Sequence, residues 1–556
     1  MFGLQVLPDF THRYVGPPGH PDPRFFIWAM AWWPHAILHG LNPIWTGAVW
    51  APAGYNLAWA TGVPGPSLIM APVTLTAGPV ASYNALALLA GPLAATAAYL
   101  LCRHLTGRFW PSLLAGWVFG FSTYEVAHAV VQVNLELVFL VPLAIHLVLL
   151  RVDGVLGRRP FVAALTLLLV AQFLISTEIF ATLAVFGAIA VVIGFVVVGA
   201  DRRGALAEVA GAIALSFALA MVVVSPYLYY VLAHGVPRRR PFRAGADLLS
   251  YVLPTTMTGL RASAFDHVIG RFPGSLRENT AYVSPPLIAV LGAFAVTRWR
   301  TVAGKVLLWS FGIVWVATLG ERLFVGGHPT VPLPWRVVGT MPLLNNAFPR
   351  RFTMFLFLLL AVMLAMWLSA SRRPRATWAV ALLVPVFLFP GSAILDQHAS
   401  VTVPRFFETG TYRRYIAPQA IIVIVPTTGA GDPFRQSRSM VIQAETGFSF
   451  RMLVGYTGPQ PPRYQRSTIL QALTRGEAPA VAPPVFRRVL RSNGVAAIVL
   501  DEGSTFEPAL TALLGRPPLA VEDVLLYAVD GDGSVRVSSV PRDQAASRRF
   551  FLPRAM

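Results

Sequence analysis

The sequence predicts an α-helical, polytopic membrane protein of about ten spans that ends in a small soluble α/β domain. Three observations lead there. Apolar runs of about 20 residues recur through the middle of the chain, the length a helix needs to cross lipid. Charged residues are only 12% of the 556-residue chain and hydrophobic ones 55%, against about 25% charged in soluble domains. Arginine clusters recur in every second connection between the apolar runs.

Taken in order, residues 1–24 are too polar to span. Residues 25–79 are apolar and rich in tryptophan, but Pro34 and Gly40 interrupt the first stretch, and turn residues surround Trp45, Trp50 and Trp59. Tryptophan favours the membrane–water boundary, where its ring is buried and its N–H stays wet. This stretch therefore reads as interfacial helices on the outer leaflet. A kinked transmembrane helix over 25–40 is the alternative, and it would invert every later loop. Spans are expected near 80–102, 109–127, 133–150, 161–177, 179–199, 205–231, 283–297, 306–324, 352–370 and 377–395.

Arg103/Arg108, Arg151/Arg158/Arg159, Arg202/Arg203, Arg298/Arg300/Lys305 and Arg372/Arg373/Arg375 all fall on one side of that arrangement. The short loops 128–132 and 177–179 on the other side hold no lysine or arginine. The positive-inside rule then places 1–79, 232–282, 325–351 and everything after 396 outside. An even span count needs an external amino terminus: either a first helix lies upstream of this start, the favoured expectation, or the amino terminus is translocated by the first hairpin. The domain reading is an extracytoplasmic loop with interfacial helices at 1–79, a transmembrane domain at 80–395 and a soluble extracytoplasmic domain at 396–556. In that tail, 421–426, 494–501 and 523–529 read as buried strands. Residues 483–494, capped by Asn493–Gly494, and 508–515 read as helices, an alternation that suggests an α/β domain.

Several function classes are excluded. The single cysteine, Cys102, leaves no disulfide framework and no cysteine-based metal cluster. A net charge of +19 could suggest nucleic acid, but the basic residues sit in short clusters between apolar runs, as topology signals do. Lys305 is the only lysine, and no phosphate-binding GxxxxGK loop exists. HExxH, CxxC, GxSxG and a GxGxxG after a strand are also missing.

The candidate residues are polar groups at the expected outer surface, where ionisable side chains are costly and call for a reason. Asp22 lies between Pro21 and Pro23, which hold its backbone rigidly. A rigid carboxylate there suits a general base acting on a hydroxyl; a turn aspartate before a helix is the plainer reading. Glu125, His128, Asn134 and Glu136 bracket the 128–132 loop, and Glu178 sits in the tight hairpin at 176–178. These acids could take a divalent cation or share protons, or they are wetted loop charges; no cofactor is identified. Arg350 and Arg351 lie at the outer end of a span. Arg238–Arg240 and Arg243 open the 232–282 loop, and Arg277-Glu278-Asn279 closes it. External arginines run against the topology rule, and guanidinium suits phosphate oxygens. Snorkelling to ordinary headgroups is the alternative.

Asp22-Pro23 with FFIWAMAWWPHAILHGLNP, APAGYNLAW, the run from Ala71 to Gly107, ENTAY at 278–282, PRRF at 349–352 and the arginine-rich stretch before Gly494 resemble bacterial membrane proteins of the GT-C glycosyltransferase superfamily. The resemblance implies a polyprenyl-phosphate sugar as donor at the outer leaflet and Asp22 as the catalytic base. It implies Arg350, Arg351 and Arg277 on the donor phosphate, with Glu178, Glu125, His128, Glu136 and Glu278 as acceptor-side or secondary acidic residues. The acceptor would be an envelope glycan, lipid or protein hydroxyl, in a bacterial plasma membrane, with membrane lipid as a partner and no nucleic acid. A lipid-linked-sugar transporter or flippase, and a catalytically silent GT-C-like scaffold, are the competing readings.

Overall fold

The computed structural model describes residues 3–233, 245–261, 263–341, 347–425, 436–475 and 477–529. Arg238–Arg240, Arg243 and Asn345–Asn346 lie outside the described residues. Helix α1 spans Pro21–Leu38. Ten apolar helices then fall on the ten expected windows: α2 (Pro79–Thr106), α3 (Phe109–Gly120), α4 (Leu140–Val152), α5 (Arg158–Ile175), α6 (Thr177–Val197), α7 (Arg203–Val223), α8 (Pro285–Arg298), α9 (Val302–Thr318), α10 (Thr353–Ser369) and α11 (Pro374–Leu388). Six helical stretches are long and apolar enough to cross a membrane: Pro79–Thr106, Val133–Val152, Arg158–Ile175, Thr177–Val197, Ala200–Val223 and Pro349–Ser369. α8, α9 and α11 are shorter apolar helices. The chain is a multi-pass membrane protein. The tail adds α12 (Gln436–Glu445), α13 (Pro483–Ser492) and α14 (Glu507–Leu514).

By its internal contacts the chain divides into two compact units. The first comprises Met1–Leu4, Leu86–Ser225 and Arg239–Gln397, and the second Gln5–Ala85, Pro226–Arg238 and His398–Met556.

In the first unit α10 is the enclosed element, with 78% of its apolar window buried. α6 and α7 leave Val196 and Val222 about 70% exposed, an apolar surface that only lipid can cover. The window 109–127 is not one helix: α3 stops at Gly120, and Ser122 caps a new short helix, Thr123–Ala129, by accepting a hydrogen bond from the Glu125 amide. A Cβ at Gly116 or Gly120 would strike the α2 backbone at Ala95 or Gly91. These glycines thus let α2 and α3 approach as closely as small-residue interfaces in lipid do.

The second unit is built on a five-stranded mixed sheet, in the order β6 (Leu519–Val521), β7 (Val524–Ala528), β5 (Val495–Asp501), β3 (Ile421–Val425) and β4 (Arg451–Met452). β3 runs parallel to both β4 and β5, while β7 is antiparallel to β5 and β6. All of β3 is buried, as a central parallel strand flanked by helices must be. β1 (Arg13–Val15) pairs antiparallel with β2 (His398–Ser400) in a separate ribbon. The three tail strands expected from sequence agree to within a residue or two, and α13 ends at Asn493 with Gly494 in the left-handed region.

Two local expectations are corrected. α1 runs straight through Pro34 rather than breaking there. Its tryptophans do not keep wet N–H groups. Trp28 donates to Gln443 Oε1 at 2.9 Å, Trp32 to the Pro43 carbonyl and Trp33 to the Gly62 carbonyl. Beyond α1, Trp50 donates to Thr457 Oγ1. Gln443, on α12, also donates to the Ala48 and Phe450 carbonyls, so one buried amide ties α1, the 48–50 loop and the sheet together. The segment therefore packs α1 against α12 within the second unit, and the indole N–H groups of Trp28, Trp32, Trp33 and Trp50 find acceptors there, while Trp59 Nε1 is buried with no acceptor among the described residues.

Candidate functional site

In the second unit, Asp22 stands in the first turn of α1, where a carboxylate opposes the positive end of the helix dipole. His20 caps the helix through Nδ1, which accepts from the Asp22 amide. The Asp22 side chain is half-buried, and Tyr456, on the loop after β4, donates its hydroxyl to Oδ1 at 2.7 Å. Two residues on, Arg24 donates to Tyr14 Oη at 3.2 Å and to Ser437 Oγ at 3.4 Å. An N-terminal tyrosine, a loop tyrosine and a serine from the tail thus hold one helix start. The sequence pointed to Asp22 alone; Tyr456 lies 434 residues away along the chain and carries no motif.

In the first unit, Glu178, Glu278 and Arg351 come together. Arg351 donates to Glu178 Oε2 at 2.6 Å and to Glu278 Oε1 at 3.0 Å, and its guanidinium lies 4.3 Å over the Phe348 ring. The Phe348 amide donates to the other oxygen of Glu178. Burial alone would raise the Glu278 carboxyl, but Arg351 beside it, with His128 and Arg350, holds it below its ordinary value.

Arg350 points elsewhere. It is 2% exposed, donates through Nε to the Gly245 carbonyl at 2.8 Å and through Nη1 to Asn279 Oδ1 at 3.3 Å. Gly274, at φ +85°, makes room for it, since any Cβ there would collide with the guanidinium. Arg277 lies half-buried in the turn beside Glu278. The 278–282 segment is itself stitched down: Thr123 donates to the Thr280 carbonyl, and Thr280 shares a hydrogen bond with Thr353 at the start of α10.

Glu125, His128 and Glu136 are buried in the same unit. His128 Nδ1 contacts the Tyr124 carbonyl at 2.8 Å, and the two rings lie 4.3 Å apart. Among the described residues, neither carboxylate oxygen of Glu125 or of Glu136 has a hydrogen-bond partner. Among the described residues no group of three or more histidine, cysteine, aspartate or glutamate side chains is placed to hold a metal ion.

Solved structures of two glycan-transferring membrane proteins share this fold. The oligosaccharyltransferase of Archaeoglobus fulgidus aligns over 90% of this chain and 68% of its own, with a TM-score of 0.52 and 13% identity. The arabinofuranosyltransferase AftD from Mycobacteria aligns over 95% of this chain, with a TM-score of 0.58 and 14% identity; this chain spans 41% of AftD. At such identities the likeness is one of fold. No family model matches the sequence, and no curated protein is similar to it in sequence.

Proposed function

We propose that the chain is a membrane-embedded glycosyltransferase that moves a sugar from a polyprenyl-phosphate donor to a hydroxyl of a cell-envelope acceptor. The observation that carries the reading is Asp22: a half-buried carboxylate at the start of a helix, fixed through one oxygen by the Tyr456 hydroxyl. A base must be held within hydrogen-bond reach of the proton it takes, and a helix start locked by Tyr456, with Arg24 tied to Tyr14 and Ser437, supplies that rigidity. In the proposed reaction the acceptor O–H gives its proton to Asp22, the oxygen forms the new glycosidic bond, and the bond from the sugar to the phosphate breaks. The polyprenyl phosphate leaves with the electron pair.

On the donor side the three arginines take different roles. Both terminal nitrogens of Arg351 are engaged by Glu178 and Glu278, and Arg350 is enclosed, so this pair is assigned to framing the 278–282 segment. Arg277, half-buried in the turn before that segment, is the cation proposed for the leaving phosphate. A divalent cation, an outer-leaflet site and a bacterial plasma membrane complete the proposal. The 396–556 tail is proposed to face outward with Asp22.

One observation favours the transporter alternative. Glu125 and Glu136 are buried carboxylates in the helical unit without hydrogen-bond partners among the described residues, as proton-coupled carriers use. Both readings meet in one assay: the protein in nanodiscs with radiolabelled polyprenyl-phosphate sugars and an envelope fraction, scored for label transfer and released polyprenyl phosphate. Transfer by the wild type and its loss in Asp22→Asn, with insertion intact, supports the transferase. Wild-type turnover in Asp22→Asn removes that residue from the mechanism. Leaflet exchange of the lipid without transfer favours the carrier.

A further inference from the structure

Tyr456 reaches Asp22 from the loop after β4, and a loop holds a hydroxyl 2.7 Å from a carboxylate only when its own backbone is held. Within the second unit that support comes from two sides. On α12, Ser437, Met440 and Gln443 follow at three-residue spacing, which sets them along one side of the helix. Ser437 accepts from Arg24 and Gln443 accepts from Trp28. Between them the Met440 sulfur accepts the Tyr456 amide N–H at 3.1 Å. A thioether is a weak acceptor, but Met440 is fully buried and fixed in place. The helix that pins the start of α1 therefore also pins the backbone of Tyr456.

The segment 48–55 grips from the other side. The Met452 amide donates to the Ala48 carbonyl at 2.7 Å and the Ala51 amide to the Met452 carbonyl at 3.0 Å, so this segment lies along the edge of β4. Just beyond β4, the Trp50 indole donates to Thr457 Oγ1 at 2.8 Å, and Tyr55 donates to the Thr457 carbonyl at 3.2 Å. Gly455 permits the approach, since a Cβ there would come within 3.1 Å of Val49 Cβ. Trp50 itself holds φ at +57°, a left-handed conformation that is rare for a bulky side chain. Such backbone persists only where its surroundings over-determine it, and it gathers at working sites. Here the strained residue is 1% exposed, and its indole is the group that reaches the neighbour of Tyr456.

We propose that Met440 and Trp50 are positioning residues of the transfer site, clamping residues 455–457 from two sides so that the Tyr456 hydroxyl stays on Asp22 Oδ1. Each acts through Tyr456. The clamp makes the tail a contributor to the site, because α12 and the 455–457 loop both belong to it. It also gives a reason for a strained tryptophan and a buried sulfur to stand where they do. Their part in transfer rests on the transferase reading; the clamp itself does not.

The test pairs the nanodisc transfer assay with amide hydrogen exchange of the full chain. Met440→Leu conserves volume and removes the acceptor, and Trp50→Phe removes the indole donor. Each should lower kcat about three- to tenfold, the weight of one hydrogen bond, with KM for the polyprenyl-phosphate sugar unchanged. In the Tyr456→Phe background neither should lower kcat further, because the hydroxyl they position is gone. Amides of 453–458 should exchange about three- to tenfold faster in both variants and at the wild-type rate in Asp22→Asn. Met440→Leu should melt like the wild type, whereas Trp50→Phe loses core volume and should melt lower. Wild-type kcat in Met440→Leu, or a full further loss in the Tyr456→Phe background, overturns the positioning role. A wild type that transfers nothing defeats the transferase reading instead. Exchange then decides the clamp, and unchanged exchange at 453–458 in both variants overturns it.

Discussion

In the helical unit Glu178 and Glu278 meet Arg351 from two sides, whereas in the other unit Asp22 meets the hydroxyl of Tyr456. The first arrangement joins two acids and one guanidinium across three separate segments: the start of α6, the 276–278 turn and the turn before α10. It behaves as a clasp, because buried charge is tolerable only when paired and hydrogen-bonded. The second arrangement orients a carboxylate oxygen by the hydroxyl of a tyrosine. The lesson is that acids in this chain divide by what they meet: Glu178 and Glu278 share a guanidinium that closes the helical unit, while Asp22 accepts from a tyrosine hydroxyl, the geometry on which its proposed role as base rests.

Breaking each centre should therefore have different consequences. Asp22→Asn should lower transfer by about 10²–10⁴-fold, the usual contribution of a positioned base, with little change in melting temperature. Equal losses in both measurements would make Asp22 structural and erase the contrast. Arg351→Ala strands two carboxylates in a largely buried place and should destabilise the protein by about 3–5 kcal/mol, seen as a lower midpoint in nanodisc unfolding. A shift under 1 kcal/mol, on the scale of an exposed pair, would show that the clasp carries nothing. Tyr456→Phe removes one hydrogen bond to a carboxylate, for which about 1.5–3 kcal/mol is typical. That cost should appear in the rate of transfer rather than in expression or melting.

The smallest effect is a pH dependence. The folded Glu278 carboxyl is held below its ordinary value, so the stability it contributes is present above that ordinary value, about 4.5, and is lost as pH falls through the folded one. Unfolding midpoints should hold down to about pH 4.5 and then drop. In Glu278→Gln this acid-dependent part should vanish; an unchanged profile would show that other acids dominate.

Much of this was legible in the residues. Each apolar window carries an apolar helix, although 109–127 is broken after Gly120, because apolar runs in lipid must satisfy their backbone internally, a local requirement. The tail strands were legible for a similar reason: IIVIV and VAAIVL are too apolar and too short for anything but a buried sheet. What misled was context. Pro34 looks like a breaker, yet α1 continues through it because the packing of α1 against α12 outweighs one lost hydrogen bond. The tryptophans looked interfacial because an amphipathic ring suits both a membrane boundary and a protein interior with an acceptor at the right depth.

The candidate sites follow the same division. Asp22, Glu178, Glu278 and the arginine pair stood out by type and position, since charges beside apolar runs are few. Their pairings did not. Nothing in the sequence joins Glu178 to Arg351, separates Arg350 from it or brings Tyr456 to Asp22. The sequence by itself determined where helices, strands and rare charges fall, because those follow from periodicity and from the cost of polar groups in apolar surroundings. Only the tertiary structure decided which charge meets which, because a hydrogen bond acts over about 3 Å, and a chain of this length brings remote residues that close only by folding.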